Sequence, residues 1–276
     1  MAESPREQSL AAERRVLVEH RDSVAFVTLN RPEALNGIDL ATIDELIAAA
    51  ETIKADRSIR AVIIQGAGRS FCAGLDFASA FKDKKRVARF FFAGPRRVNR
   101  FQKWSTIWRE VPVPVIAVVH GHCYGGGLQL VAGADFRFTT PDAQWSILEA
   151  KWGLVPDMGG TVPFLDTMPL DIVQRLAMTG EVVSGQQAVE LGLATGVSED
   201  PLAEALTLVD QILERSPDSV AATKELLYLN ARGSVRRALR RERKLQSVMF
   251  KSPNTKIARE AGMKKETPAY RDRTFG

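Results

Sequence analysis

Short apolar runs alternate with longer stretches of helical spacing along the chain. Val16–His20 and Val24–Leu29 predict two strands around the polar turn Arg21-Asp22-Ser23. From Leu40, apolar residues recur at Ile43, Leu46, Ile47, Ala50 and Ile53, the spacing of a helix with one buried face. Ala61–Gln65 and Val115–Val119 are largely or wholly apolar, as strands covered on both faces must be. Each is followed by a glycine-bearing loop, residues 66–76 and 121–127. Leu128–Ala132 then predicts a helix and Phe136–Thr139 a strand. The alternation predicts an α/β core of ββα-like units over residues 15–200, after a flexible stretch at residues 1–14. Past Gly160 the texture changes. Ile172–Met178, Ser184–Leu191, Leu202–Glu214, Val220–Leu229 and Val235–Met249 predict an all-helical C-terminal part, and residues 201–276 are assigned as a helical region. No low-complexity linker separates it from the core.

Composition narrows the class. The 276 residues are 45% hydrophobic and 26% charged, which excludes disorder as the main state. Cys72 and Cys123 are the only cysteines, too few for a disulfide scaffold. Lys and Arg number 38 against 33 Asp and Glu, a net +5 that permits an anionic ligand without demanding one. Aromatics at 7% argue against a base-stacking surface. The histidines are His20, His120 and His122, and no carboxylate or cysteine cluster completes a metal site around them, so none is expected. The first eight residues carry two glutamates and no apolar stretch, and Val111–Val119 is far too short to span a bilayer. A cytoplasmic, membrane-free protein is the expectation.

Candidate chemistry lies in three places. Ser70–Asp76 (Ser-Phe-Cys-Ala-Gly-Leu-Asp) follows a buried strand, and its small residues let a ligand approach the backbone, or else make a tight strand-to-helix connection. Tyr124–Leu128 places three glycines at a helix start, where N–H groups lack intrahelical partners; close helix packing is the other reading. It is neither a G-x-G-x-x-G fingerprint nor a P-loop. One N–H from each loop could meet on a single oxygen, an arrangement worth ~3–4 kcal/mol per donor when charge develops there. The third place is Glu149, set among Trp145, Ile147 and Leu148, where burial should raise its pKa and suit it to proton transfer. Its alternative is a surface acid paired with Lys151.

Together these motifs resemble the crotonase superfamily, the enoyl-CoA hydratase/isomerase family. Val27–Asn36 is similar to the family's first signature, and Ser70–Asp76 and Gly121–Leu128 to its two oxyanion loops, in order and separation. The likeness runs from Val24 to about Gly160 and more weakly beyond. It implies a spiral of ββα units with an all-helical C-terminal region for trimerisation, and a homotrimer or a hexamer as dimer of trimers. It implies an acyl-CoA thioester substrate, with coenzyme A part of that substrate and no separate cofactor. By position, the oxyanion donors would be the N–H groups of Leu75 and Gly126, flanked by Gly74, Asp76, Gly125 and Gln129. Ala34 and Ala73 would lie along the CoA arm, and Lys264 or Lys265 would meet its phosphates.

The resemblance also bears on the reaction. Family hydratases carry two glutamates. One corresponds to Glu149, but the other falls on Gln129, which can hold water by hydrogen bonds and cannot take its proton. Asp157, eight positions after Glu149, falls where some isomerase-type members place a second acid, and Ala-Gly-Leu-Asp resembles the isomerase form of the first loop. The expectation is a double-bond isomerase of enoyl- or dienoyl-CoA using Glu149 and Asp157. Hydration or dehydration of an acyl-CoA is the alternative, and Asp157 could instead cap a helix after Pro156.

Two other classes are weighed. Arg236, Arg237, Arg240, Arg241, Arg243 and Lys244 form a basic helical run, but no aromatics interleave it, so a nucleic-acid partner is disfavoured against a solvated face or a rim attracting CoA phosphates. A noncatalytic acyl-CoA binder would keep the Leu75 and Gly126 donors and leave Glu149 and Asp157 idle. Lys82, Lys84, Lys85, Arg86 and Arg89 surround Phe90-Phe91-Phe92, which could line an acyl tunnel, meet a second subunit or fill the core.

Overall fold

A computed structural model describes residues 14–80, 82–92, 98–231 and 233–276. The N-terminal stretch, apart from residue 14, and Arg96 and Arg97 of the basic segment lie outside the described residues.

Strands β1 (Val16–Arg21) and β2 (Val24–Leu29) form the expected hairpin, turning at Asp22 with positive φ of 52°. Helix α1 (Leu40–Ala55) is capped by Asp39, whose carboxylate accepts from Thr42 N. Then β3 (Ala61–Gly66), the short α2 (Phe77–Ala80), α3 (Lys84–Phe91) and α4 (Arg100–Glu110) lead to β4 (Val115–Val119). Beyond it come β5 (His122–Tyr124), α5 (Gly126–Ala132), β6 (Phe136–Thr139) and β7 (Gln144–Ser146). A 3-10 turn (Leu148–Trp152), α6 (Thr161–Thr167), α7 (Leu170–Thr179), β8 (Val183–Ser184), α8 (Gly185–Glu190) and β9 (Gly196–Val197) follow. Four helices end the chain: α9 (Pro201–Leu213), α10 (Pro217–Asn230), α11 (Val235–Met249) and α12 (Pro253–Lys264).

The part beyond Gly160 is therefore not all helical. Strands β8 and β9 are two residues each, too short to carry an alternation, and both pair with earlier strands. Helices α3, α4, α6 and α12 were also not anticipated. In α3 a basic face hides the period, whereas α4 begins with a capping box between Asn99 and Gln102.

The main sheet runs β1-β2-β3-β4-β6-β9, parallel from β2 onward; β5-β7-β8 make a second, three-stranded sheet. Both faces of the main sheet are covered, which explains its apolar strands. Val27, Ile64 and Ala117 face the larger core with α1 and α4, while Phe26, Ile63 and Ile116 face Ala205 and Val209 of α9. Phe90 is buried against Phe101, with ring centroids 5.6 Å apart, whereas Phe91 and Phe92 are exposed.

Asp218, fully buried in the first turn of α10, ties down the chain's last residues. It accepts from Ser252 Oγ, Asn254 Nδ2, the N–H and hydroxyl of Thr274, and Phe275 N, at 2.5–3.0 Å. Burial opposes its charge, but these hydrogen bonds outweigh it and hold the carboxyl below its usual range. Its folded pKa lies below the unfolded one. The stabilisation is thus full above the unfolded value and is lost as pH falls through the folded value. Asp218→Ala should cost about 3 kcal/mol by leaving several donors unpaired. Urea unfolding should record the loss, and amide exchange at Thr274 and Phe275 should accelerate selectively.

Candidate active site

Two loops leave the main sheet side by side. The Cys72 and Cys123 backbones are bridged: Cys72 N donates to His122 O, and Tyr124 N to Cys72 O. Ser70 Oγ and His122 Nδ1, 2.8 Å apart, and His120 Nε2 with Gly68 O, 2.9 Å apart, tether the same loops. Both thiols are buried, which pushes Cys72 up to about 12, so neither is a nucleophile at neutral pH. Asn36 holds the first loop from below, donating to Ala67 O and Ser70 O.

The peptide planes then fix where two N–H groups point. Gly74 O accepts from Ile38 N, so in the trans peptide the Leu75 N–H points the opposite way, and it meets no acceptor among the described residues. Gly125 O accepts from Gln129 N as the first bond of α5, so the Gly126 N–H points out of the helix end. Trp104 Nε1 donates to Gly126 O at 2.8 Å and fixes the next plane. Gly74 has φ +94° and passes so close that an added Cβ would lie 3.0 Å from Tyr124 O and 4.0 Å from Gly126 N. Gly125 has φ 49° and ψ −117°, closed to residues with a Cβ, and an added Cβ would sit 3.4 Å from Glu149 Oε1.

Glu149 stands in the 3-10 turn facing these loops. It does not pair with Lys151. Its side chain is buried, Oε1 accepts from Gln129 Nε2 at 2.6 Å, and Oε2 has no hydrogen-bond partner among the described residues. Burial raises its pKa, and the nearby charge of Asp157 pushes the same way; the Gln129 hydrogen bond opposes both. Gln129 is fixed in turn, because its Oε1 accepts from Met158 N at 2.8 Å and Gly160 N at 3.0 Å. Only the nitrogen can therefore face Glu149.

Asp157 is no helix cap: α6 starts at Gly160 without a side-chain cap. Its carboxylate lies at the rim, open to solvent on one side, and protein packed on the other side raises its pKa. A cleft of about 100 Å³ joins Ala73, Gly74, Leu75, Gly125 and Gly126 to Glu149 and Asp157. Its remaining walls are Phe77, Leu148, Trp152, Leu154 and Met158, to which the sequence assigned no role. Trp152, one 3-10 turn after Glu149, was the legible signal, since that spacing returns a side chain to the same side.

The other candidates fall elsewhere. Gln129 is fully buried behind Glu149 and does not line the cleft. Asp76 is taken up by Arg31 Nη2 at 3.2 Å and by Ser79 N. Ala34 lies beside the loop that carries Ala73, where Ala73 N donates to Leu35 O, but outside the cleft wall. Lys264 and Lys265 are exposed at the end of α12.

This spiral of strand, loop and helix, with its helical C-terminal region, is a crotonase fold. The enoyl-CoA hydratase/isomerase family model matches residues 19–273, and the chain belongs to that family. It is 28% identical to (E)-benzylidenesuccinyl-CoA hydratase of Thauera aromatica, over 93% of this chain and 98% of the relative. It is 33% identical to the mitochondrial Delta(3,5)-Delta(2,4)-dienoyl-CoA isomerase of Rattus norvegicus, over 74% of this chain and 66% of the relative. The solved enoyl-CoA hydratase of Mycobacterium tuberculosis H37Rv superposes with a TM-score of 0.81 at 30% identity, over 94% of this chain and 99% of that one.

Gln129→Leu removes the side-chain donor to Glu149 and leaves the Glu149 backbone N–H in place. The Glu149 carboxyl should then titrate at higher pH, because a hydrogen bond favouring its ionised form is gone. NMR titration of glutamate labelled at the side-chain carbonyl carbon checks this; a shift downward would contradict the geometry.

Proposed function

We propose that the protein isomerises the double bond of an enoyl- or dienoyl-CoA, holding the thioester oxygen with Leu75 and Gly126 and moving the proton with Glu149. The carrying observation is the saturated Gln129 amide. Its oxygen receives two N–H groups and its nitrogen serves Glu149, so the position cannot accept a proton from water. That leaves Glu149 Oε2 as an unpartnered acceptor on a residue that lines the same cleft as Leu75 and Gly126.

In the forward step Glu149 Oε2 takes a proton from the carbon beside the thioester carbonyl. The C–H electron pair moves into the C–C bond, and the carbonyl π pair moves onto oxygen, where the Leu75 and Gly126 N–H groups receive it. When the carbonyl re-forms, the double bond migrates and the far carbon takes a proton. No net proton is gained or lost. Over a short shift Glu149 returns the same proton; over a dienoyl system Asp157 supplies it at the remote carbon and Glu149 passes its own back to the rim.

Hydration is the second reading. Asp157 favours it, because a solvent-facing carboxylate at the rim can hold a water. The two separate in an assay of the purified protein on 2-enoyl-, 3-enoyl- and dienoyl-CoA. Isomerisation should dominate, Glu149→Gln should lower it ~10²-fold or more, and Asp157→Asn should slow the dienoyl shift more than the 3-enoyl shift. The 3-enoyl rate should rise with pH through a raised carboxylate pKa, since Glu149 must be ionised to act, whereas the dienoyl rate should fall again as Asp157 loses the proton it supplies. Rapid crotonyl-CoA hydration that survives Glu149→Gln overturns both site and reaction.

A homotrimer, or a dimer of trimers, closed through the helical layer is part of the same reading. Leu227, Val235, Phe250 and Met263 are exposed there, between 65% and 76%. Light scattering should give three or six times the 30.4 kDa chain. A monomer in solution would remove this part.

A further inference from the structure

We propose that the cleft selects an uncharged, apolar acyl group and rejects one that carries a second carboxylate. The inference rests on the reading that the cleft holds an acyl thioester, and it concerns what lies beyond the thioester.

Two observations carry it. The first is charge. Two carboxylates, Glu149 and Asp157, belong to the wall, and no Lys, Arg or His is among the described residues lining it. The neighbouring cation Arg31 is occupied by Gly37 O, Asp76 and Asp39. Glu149 Oε2 is buried without a hydrogen-bond partner, so the pocket holds one unneutralised acceptor before any ligand enters. An acyl carboxylate would lose its water there, find no side-chain cation among the described lining residues, and meet like charge at short range in a medium of reduced dielectric.

The second is shape and surface. Phe77 follows the first glycine loop and Trp152 closes the Glu149 turn; their ring centroids lie 5.2 Å apart at 44°. Trp152 is 62% exposed, a large apolar surface that lines the cleft. Leu148, Leu154 and Met158 continue the apolar wall. An aromatic pair with aliphatic neighbours suits an apolar chain, which brings no charge to desolvate.

The test uses pentanoyl-CoA and glutaryl-CoA, saturated thioesters of equal carbon number that differ by the terminal carboxylate and cannot undergo double-bond migration. Calorimetry at pH 7.5 should give pentanoyl-CoA about tenfold tighter binding. Asp157→Asn should narrow that gap, chiefly by improving glutaryl-CoA, and Trp152→Ala should weaken pentanoyl-CoA severalfold. Equal or tighter binding of glutaryl-CoA by the unaltered protein overturns the charge selection alone, leaving the reaction untouched. If neither thioester binds, the acyl-CoA reading itself is overturned, and this inference with it; if glutaryl-CoA alone fails to bind, the charge selection stands.

Discussion

The site depends on a few backbone hydrogen bonds between two loops that leave neighbouring parallel strands. Cys72 and Cys123 are paired across them, and the bonds from Phe71 N to His120 O, Cys72 N to His122 O and Tyr124 N to Cys72 O continue the sheet just past its edge. Because each peptide is planar, anchoring a carbonyl on one side aims the next N–H on the other. Anchoring Gly74 O to Ile38 N and Gly125 O to Gln129 N aims Leu75 and Gly126 without any side chain taking part. Small residues are required because the loops pass at contact distance. An added Cβ on Gly127 would meet Cys72 at 2.7 Å, and one on Gly126 would meet Met158 at the same distance.

A buried carboxylate facing such donors is costly on its own. An unpaired buried polar atom costs ~1–3 kcal/mol, and Glu149 Oε2 is one. The protein offsets this through Oε1 and through a chain of fixed groups behind it. The Met158 and Gly160 N–H groups orient the Gln129 amide, and the amide orients Glu149. The same 158–160 segment follows Asp157, so the rim carboxylate and the buried one are positioned by one stretch of backbone. Desolvation is concentrated at the cleft, while β4 beside it is wholly apolar and buried along its length.

Much of this arrangement was legible. The strands Val24–Leu29, Val115–Val119 and Phe136–Thr139 and the helix Val235–Met249 stand where their periodicity puts them. Burial of Glu149 followed from its apolar neighbours. What escaped has physical reasons. Two-residue strands have no period to read. The three-residue spacing of Glu149 and Trp152 is readable, but nothing in the composition shows that the segment winds as a 3-10 turn, which is what brings the two together. The task of Gln129 was only half visible: the sequence shows that the residue cannot accept a proton, but not that its amide is spent on the backbone and on Glu149. Only the fold brings Met158 N and Gly160 N to its oxygen, across 29 and 31 residues.

That last point locates the chemistry more narrowly than the fold does. The two N–H donors are backbone groups, present whatever side chains surround them, and in the proposed role they would stabilise an enolate oxygen equally for proton shuttling or water addition. The difference between those outcomes must come from which side chains can hold a proton. With Gln129 the inner site has one titratable group and a neutral donor 2.6 Å from it. A glutamate in the same place would still have to receive the Met158 and Gly160 N–H groups on one oxygen. Its other oxygen would then face Glu149 Oε1 where the amide nitrogen now sits. Two carboxylates at that distance cannot both ionise, so a proton would lie between them and the pair would titrate as a unit. The exchange of one NH₂ for one oxygen leaves shape and packing almost unchanged and alters only proton capacity. On the proposed reading, the choice between isomerisation and hydration would therefore be set from behind the cleft wall, by a side chain that does not line the cleft.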